Sequence, residues 1–360
     1  MLTPQQKNII TAKDKFIIVD AFAGCAKTTT IIHRARSKKG KCLYLAFNTA
    51  NVKDISSKLP DNWECRTIHA HALKHLNIAS LGLKIDNSKY KWLETSKNFS
   101  KLYNMRAECP NIPSSIKIDS SVVSFNDMLL LPVMNGLKLP EYEEIIIDEC
   151  QDLTQLQFKY ISAISTDSIV FSGDKHQAIY LFAGGDPNMM SNIEVAMAEK
   201  MGTPKIYHLD FTFRFGQDIC DVVNASEILQ RNIETACPYK STVEYQRDVI
   251  SENVFNTARH NPEASIAILV RTNKEKGNIS RYFKQFGKKP KNIKVLTIHK
   301  SKGLEFDIVI VPDAINFKNE IEYSLHIDYS SSKHTQLINM YYVAITRAKH
   351  KLILEDNYEY

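Results

Sequence analysis

Ala21-Phe22-Ala23-Gly24-Cys25-Ala26-Lys27-Thr28-Thr29-Thr30 stands between an apolar run, Phe16-Ile17-Ile18-Val19, and a helix-like segment, Ile31-Ile32-His33-Arg34. A strand, a tight loop and a helix in that order make a phosphate cradle. Backbone N–H groups and the positive end of the helix point at an anion. In such a loop Lys27 reaches the β/γ oxygens of a nucleotide, and the Thr28 hydroxyl binds Mg²⁺. The generic pattern has Gly at positions 21 and 26; this chain has Ala at both. A methyl at position 26 strains the loop wherever its backbone needs positive φ.

A second segment completes the chemistry. Glu143-Glu144-Ile145-Ile146-Ile147-Asp148-Glu149-Cys150-Gln151-Asp152 is an apolar strand ending in a carboxylate cluster. At the C-terminal edge of a parallel sheet, Asp148 is placed to hold the Mg²⁺ shell, and Glu149 to orient and deprotonate an attacking water. A Lys-Thr loop after one strand together with Asp-Glu after another is hard to obtain by chance.

Further short runs repeat the pattern: Cys42-Leu43-Tyr44-Leu45, Ser168-Ile169-Val170-Phe171, Ile266-Ala267-Ile268-Leu269-Val270, Val295-Leu296-Thr297-Ile298 and Ile308-Val309-Ile310-Val311. Apolar runs without alternation are strands covered on both faces, which predicts α/β architecture with parallel sheets. The runs fall into two groups, 1–204 and 205–360, each large enough for one open sheet. The stretch 85–140, rich in Lys, Asn and Ser with four prolines, breaks the rhythm and is expected to be an inserted subdomain.

Composition excludes several classes. At roughly 100–200 residues per domain, 360 residues suit two or three domains with ample core. A chain that is 44% hydrophobic and 24% charged is neither disordered nor fibrous. No run is long enough to span a bilayer, and the N-terminal residues do not read as a secretory signal. Seven scattered cysteines imply a reducing compartment and neither a disulfide framework nor a zinc site. His69, His71 and His75 lack the Cys or carboxylate partners of a metal site. Cys25 is read as a small residue filling a tight loop. A net charge of +6 permits an acidic partner without demanding one.

With Asp148-Glu149-Cys150-Gln151-Asp152 quoted, the chain resembles the UvrD/Rep/PcrA-type helicases of superfamily 1, in order along nearly its whole length. Leu2-Thr3-Pro4-Gln5-Gln6 is similar to the family's Q motif. Tyr44-Leu45-Ala46-Phe47-Asn48 and Thr67-Ile68-His69-Ala70 are similar to motifs Ia and Ib, and Gly173-Asp174-Lys175-His176-Gln177-Ala178-Ile179-Tyr180-Leu181-Phe182 to motif III. Phe211-Thr212-Phe213-Arg214-Phe215 resembles motif IV, Thr297-Ile298-His299-Lys300-Ser301-Lys302-Gly303-Leu304-Glu305-Phe306 motif V, and Tyr342-Val343-Ala344-Ile345-Thr346-Arg347-Ala348 motif VI. The wording around Phe47, Phe215-Gly216 and Ser124–Met128 leans toward the F-box helicase branch, in a compact, phage or viral version.

The resemblance implies two RecA-like P-loop domains with parallel sheets and an ATP cleft between them, the first carrying the small insert. It implies an ATP hydrolase that moves 3′→5′ on single-stranded DNA and separates duplexes, with ATP and Mg²⁺ as cofactors. The expected setting is repair, replication or recombination, at single/double-strand junctions and beside replication or repair proteins. No membrane is involved, and the expected location is the cytoplasm, the host's if phage-encoded. For nucleotide binding it implies Gln6 at adenine, the loop residues Ala23, Gly24, Cys25, Ala26, Lys27, Thr28 and Thr29, Phe213 stacked on adenine, and Glu305 near the ribose and γ-phosphate. Thr28 and Asp148 take the metal; Lys27, Glu149, Gln177, Arg214 and Arg347 serve the reaction. Phe47, Thr67, His69, Tyr180, Phe182, Thr297, His299 and Lys302 meet the strand, where each stacked base is worth roughly 1–3 kcal/mol.

Three departures from the family stand out: Ala26, Ala183 where motif III carries a basic residue, and an interval from Arg214 to His299 too short for the large accessory insertion. They leave two rival readings, an ATP-gated single-strand binding module and a protein-stripping translocase without strong unwinding. The insert's Tyr90, Trp92 and Tyr103, beside Lys84, Lys89, Lys91, Lys97 and Lys101, are expected to touch DNA near the junction.

Overall fold

The computed structural model describes residues 2–76, 84–85, 122–123, 125–134, 137–181, 184–226, 228–327 and 332–356. Phe182 and the aromatic and lysine residues expected of the insert, apart from the backbone of Lys84, lie outside the described residues. The chain forms two compact units. The first holds Met1–Val19, Thr28–Gly173 and Phe182–Tyr207, the second Asp20–Lys27, Asp174–Leu181 and His208–Tyr360.

The α/β class with parallel sheets is what the chain adopts. The first unit is built on β1 (Phe16–Ala21), β2 (Cys42–Ala46), β3 (Trp63–Thr67), β4 (Tyr142–Asp148), β5 (Thr166–Gly173) and β6 (Lys205–Leu209), in the order β3-β2-β4-β5-β1-β6. β2 pairs in parallel with β3 and β4, and β4 with β5. Every residue of β1 and β2 is buried, which is why these strands carry no polar alternation. Helix Phe125–Met134, inside the 85–140 stretch, contributes Met128, Leu129 and Leu130 to this unit's core, and Leu139 joins them. Met128, Leu129 and Leu130 are all buried, so this end of the stretch packs as core.

The second unit holds β7 (Thr242–Gln246), β8 (Ile266–Val270), β9 (Ile293–Thr297), β10 (Phe306–Val311) and β11 (Ala348–Glu355), all parallel, in the order β7-β11-β10-β8-β9. Its core centres on Phe255, whose ring meets Phe283 edge-on at 4.8 Å. One local pattern occurs in both units. Thr67 ends β3 and Thr297 ends β9, and each is followed by Ile-His opening a helix.

A buried ion pair ties the first unit together. Arg34, in the last turn of helix Lys27–Ala35, is 1% exposed, and Glu144 on β4 is fully buried. The guanidinium donates to both carboxylate oxygens, at 3.1 and 2.7 Å, and its Nη1 donates to the carbonyls of Ile9 and Ala12, each at 2.8 Å. Glu144 also accepts from Ser168 on β5 at 3.0 Å and faces Lys38 at 3.1 Å. Removing one partner strands the other charge in the core. Glu144→Ala should therefore cost about 3–5 kcal/mol of stability, read as the shift in a guanidinium-chloride unfolding midpoint.

Candidate functional site

In the first unit, β4 delivers Asp148 to its C-terminal end, where the carboxyl is 3% exposed. Its Oδ2 accepts from the Thr28 hydroxyl at 3.3 Å and from the Tyr44 phenol at 2.8 Å. Parallel pairing sets Tyr44 opposite Ile146, so the phenol reaches forward to the strand end. Burial, then the Asp148 charge, push that phenol well above its ordinary range, so it stays a donor. Next along the chain, Glu149 has φ +55°, a left-handed conformation that costs a residue with a Cβ about 1–2 kcal/mol. Its N–H donates to Asp148 Oδ1 at 3.0 Å, and Gln151 Nε2 donates to Glu149 Oε2 at 2.6 Å. Gly173 makes room for this arrangement: a Cβ there would collide with Gln151 Oε1 and, at 2.8 Å, with Cys150 Sγ.

In the second unit the loop 20–27 is held from several sides. Gly24 has φ +75°, and a Cβ on it would lie 2.5 Å from Thr212 Oγ1 and 2.6 Å from the Arg214 Cβ. The Gly24 carbonyl accepts from Phe213 N at 2.9 Å. Ala26 has φ +53°, so the methyl does sit where the backbone is left-handed. Cys25 is 2% exposed, and burial first, then Asp174 and Asp210, push its thiol well above the usual range. It packs as an inert small residue. The Ala23 N–H donates to the Tyr342 hydroxyl at 2.8 Å.

The same unit brings Gln177, Arg214, Glu305 and Arg347 together. Gln177 donates to Asp174 at 2.7 Å and accepts from Arg347 Nη2 at 3.2 Å. Full burial raises the Asp174 carboxyl to about 6, against the lowering pull of Gln177 and the Lys27 charge. Burial, then the neighbouring Arg214 charge, lower the Arg347 guanidinium to about 9. Arg214 pairs with Glu305 at 2.8–2.9 Å and donates to the Thr346 carbonyl at 2.9 Å. Burial acts to raise the Glu305 carboxyl, but Arg214 outweighs it and holds the group below its usual range.

The residues expected to meet a strand are spread over both units. Phe47 is half-buried after β2, and the Thr67 hydroxyl accepts from Ala70 N at 3.2 Å. His69 meets Phe125 edge-on at 5.4 Å, and burial lowers its pKa. In the second unit Lys302 lies over the Tyr180 ring at 5.0 Å and donates to the Gln177 carbonyl at 2.6 Å. His299 bonds the Ile179 carbonyl at 3.1 Å, and Thr297 is buried at the end of β9. Gln6 is 3% exposed and its Oε1 accepts from Thr3 N in a capping box; Phe213 is half-buried and Thr29 lies in the first turn of its helix.

Sequence reasoning missed Tyr44, Gln151, Asp174, Thr212 and Tyr342. For the tyrosines a signal existed: a phenol in an otherwise apolar strand or helix needs a partner for its hydroxyl.

The loop's backbone yields a paired prediction. Ala26→Gly relieves the left-handed strain and should stabilise the protein by about 1 kcal/mol. Gly24→Ala adds strain and a collision, and should destabilise it by at least about 2 kcal/mol. Chemical unfolding of the two variants beside the parent checks both signs.

The profile of the AAA domain family matches residues 5–183, and that of the UvrD-like helicase C-terminal domain matches residues 284–358. A Mycoplasma pneumoniae protein named "Probable DNA helicase" is 28% identical over 66% of this chain and 49% of its own length. F-box DNA helicase protein 1 of Schizosaccharomyces pombe is 24% identical over 76% of this chain and 38% of its own, and F-box DNA helicase 1 of Gallus gallus 22% over 61% and 27%. The chain thus spans half or less of the length of these relatives. Among solved structures, the arterivirus nonstructural protein 10 helicase covers 99% of this chain and 62% of its own, at 14% identity and a TM-score of 0.47. An AAA-domain profile over the loop and carboxylates of the first part, a UvrD-like helicase C-terminal profile over motifs V and VI of the second, and the helicase relatives together support a UvrD-like helicase of superfamily 1.

Proposed function

We propose that the chain is an ATP-driven DNA helicase motor that hydrolyses ATP, moves 3′→5′ on single-stranded DNA and separates duplexes. Family membership supports the class of activity. The observation that carries the chemistry is the meeting of the Thr28 hydroxyl and the Asp148 carboxylate at 3.3 Å, with Glu149 beside them. Two hard oxygen donors at the mouth of a phosphate loop suit Mg²⁺. Thr28 and Asp148 would hold that ion, which when bound supplies charge neutralisation to the phosphates.

The remaining steps belong to side chains. Glu149 accepts the proton of the attacking water, and Gln151 fixes the carboxylate that does so. Lys27 clamps the β/γ oxygens, with the backbone of the loop around Gly24, Cys25, Ala26 and Thr29 at the phosphates. Gln177 senses the γ-phosphate, and Arg347 and Arg214 offset the charge that develops there. Gln6 reads adenine while Phe213 stacks on it. Phe47, Tyr180 and Phe182 give bases a stacking surface, with Thr67, His69, Thr297, His299 and Lys302 along the backbone. Partners of the reading are single-stranded DNA and strand junctions.

Steady-state ATPase with and without an oligonucleotide tests the reading, paired with unwinding of duplexes bearing a 3′ or a 5′ tail. Strand-stimulated turnover and unwinding of the 3′-tailed duplex are expected. Absence of strand stimulation would refute it. Glu149→Gln should bind ATP normally and lose about 10²–10⁴-fold in turnover, since only proton acceptance is removed. Parental turnover in that variant would take Glu149 out of the mechanism.

A further inference from the structure

We propose that Tyr342 is a positioning residue of the hydrolytic site: its hydroxyl fixes the entry of the phosphate loop at Ala23 to Asp174, and through Asp174 it sets the side chain of Gln177. This rests on the helicase reading above and assigns a role to a residue that reading leaves out. The Tyr342 hydroxyl accepts from Ala23 N at 2.8 Å and donates to Asp174 Oδ2 at 3.1 Å. The same carboxylate oxygen accepts from Gln177 Nε2 at 2.7 Å, and Gln177 Oε1 accepts from Arg347 Nη2 at 3.2 Å. Loop, Asp174, Gln177 and Arg347 therefore form one unbroken hydrogen-bonded chain with a single phenol in its middle.

A phenol suits that place. It donates and accepts at one atom, so it can join an amide N–H to a carboxylate. Tyr342 is fully buried, with its ring against His176 at 5.6 Å, so its hydroxyl is shielded from bulk solvent. The Ala23 carbonyl is held as well, by the Thr212 hydroxyl at 2.9 Å, and the phenol carries the amide's side of that peptide toward Gln177. The group at stake is the one that senses the γ-phosphate. Displacements near 1 Å at such a group cost up to about 10²-fold in rate while leaving ground-state binding intact.

Tyr342→Phe in the full chain keeps the ring and removes the link. Two readouts decide the matter: kcat for ATP at saturating oligonucleotide, and the Kd of a fluorescent ADP analogue. A 10- to 100-fold fall in kcat is expected, with ADP affinity kept within about threefold. Asp174→Asn should show the same split, and the double variant should be no slower than the slower single, because both break one chain. A kcat within twofold of the parent overturns the proposal, as does an equal loss of kcat and ADP affinity, or a double variant whose loss is the product of the singles. If Tyr342→Phe does not fold, the split in Asp174→Asn decides alone. A parent protein without ATPase activity overturns the helicase reading and this one together, whereas an active parent with an unaffected Tyr342→Phe overturns this one only.

Discussion

The bond between Arg34 and Glu144 is the constraint on which the first unit's chemistry depends. Arg34 lies at the far end of the helix that begins with Lys27, and Glu144 lies four residues before Asp148 on β4. Holding these two together, with Ser168 of β5 and the carbonyls at the end of the first helix, sets how far the loop helix and the carboxylate strand can slide past one another. A buried ion pair is a poor source of net stability, because desolvation consumes most of the attraction. Its value is specification. An apolar pair of the same volume would tolerate several offsets, whereas a two-point guanidinium–carboxylate fork accepts one. That one offset brings the Thr28 hydroxyl to Asp148.

Each unit also holds a strained backbone position. Glu149 and Ala26 both have left-handed backbones without being glycine, and both border groups read as handling phosphate or water. Each is a local choice that propensity alone would reject, which is the usual mark of a site shaped for chemistry. Ala26 sits beside Gly24, whose lack of a side chain is imposed independently by Thr212 and Arg214. The loop is thus shaped by a steric limit at one residue and tolerates a modest penalty two residues later.

The central strands were legible because each holds a short unbroken apolar run within a sheet covered on both faces. β1, β2, β4, β5, β8 and β10 each contain one of the apolar runs, and the run at Val295 falls in β9. The strands that escaped were mostly edges. β3 and β6 bound the first sheet and β7 bounds the second, and their polar residues break the apolar run that marks a buried strand. β11 escaped for another reason: it is interior, but Lys349-His350-Lys351 follow its first residue. The site divides in the same way. Lys27, Thr28, Asp148 and Glu149 can be proposed from the sequence because residue type and position within a motif point to a chemistry. Tyr44 bonds a partner 104 positions away and Tyr342 partners 319 and 168 positions away; a lone phenol among apolar residues signals that a partner is needed, but no local pattern says which.

The link between Ala23 and Tyr342 also sets a schedule. The loop 20–27 belongs to the second unit, most of which begins at His208. At about 5–20 residues per second, a ribosome takes roughly 15–65 s to advance from one end of that hydrogen bond to the other. For that interval the first unit's strands can assemble, while the loop they flank lacks the phenol that receives its amide. The loop therefore acquires its finished shape only after Tyr342 has been made. A chain halted before Tyr342 would carry the Lys-Thr signature intact, with the loop still short of the bond that fixes its entry.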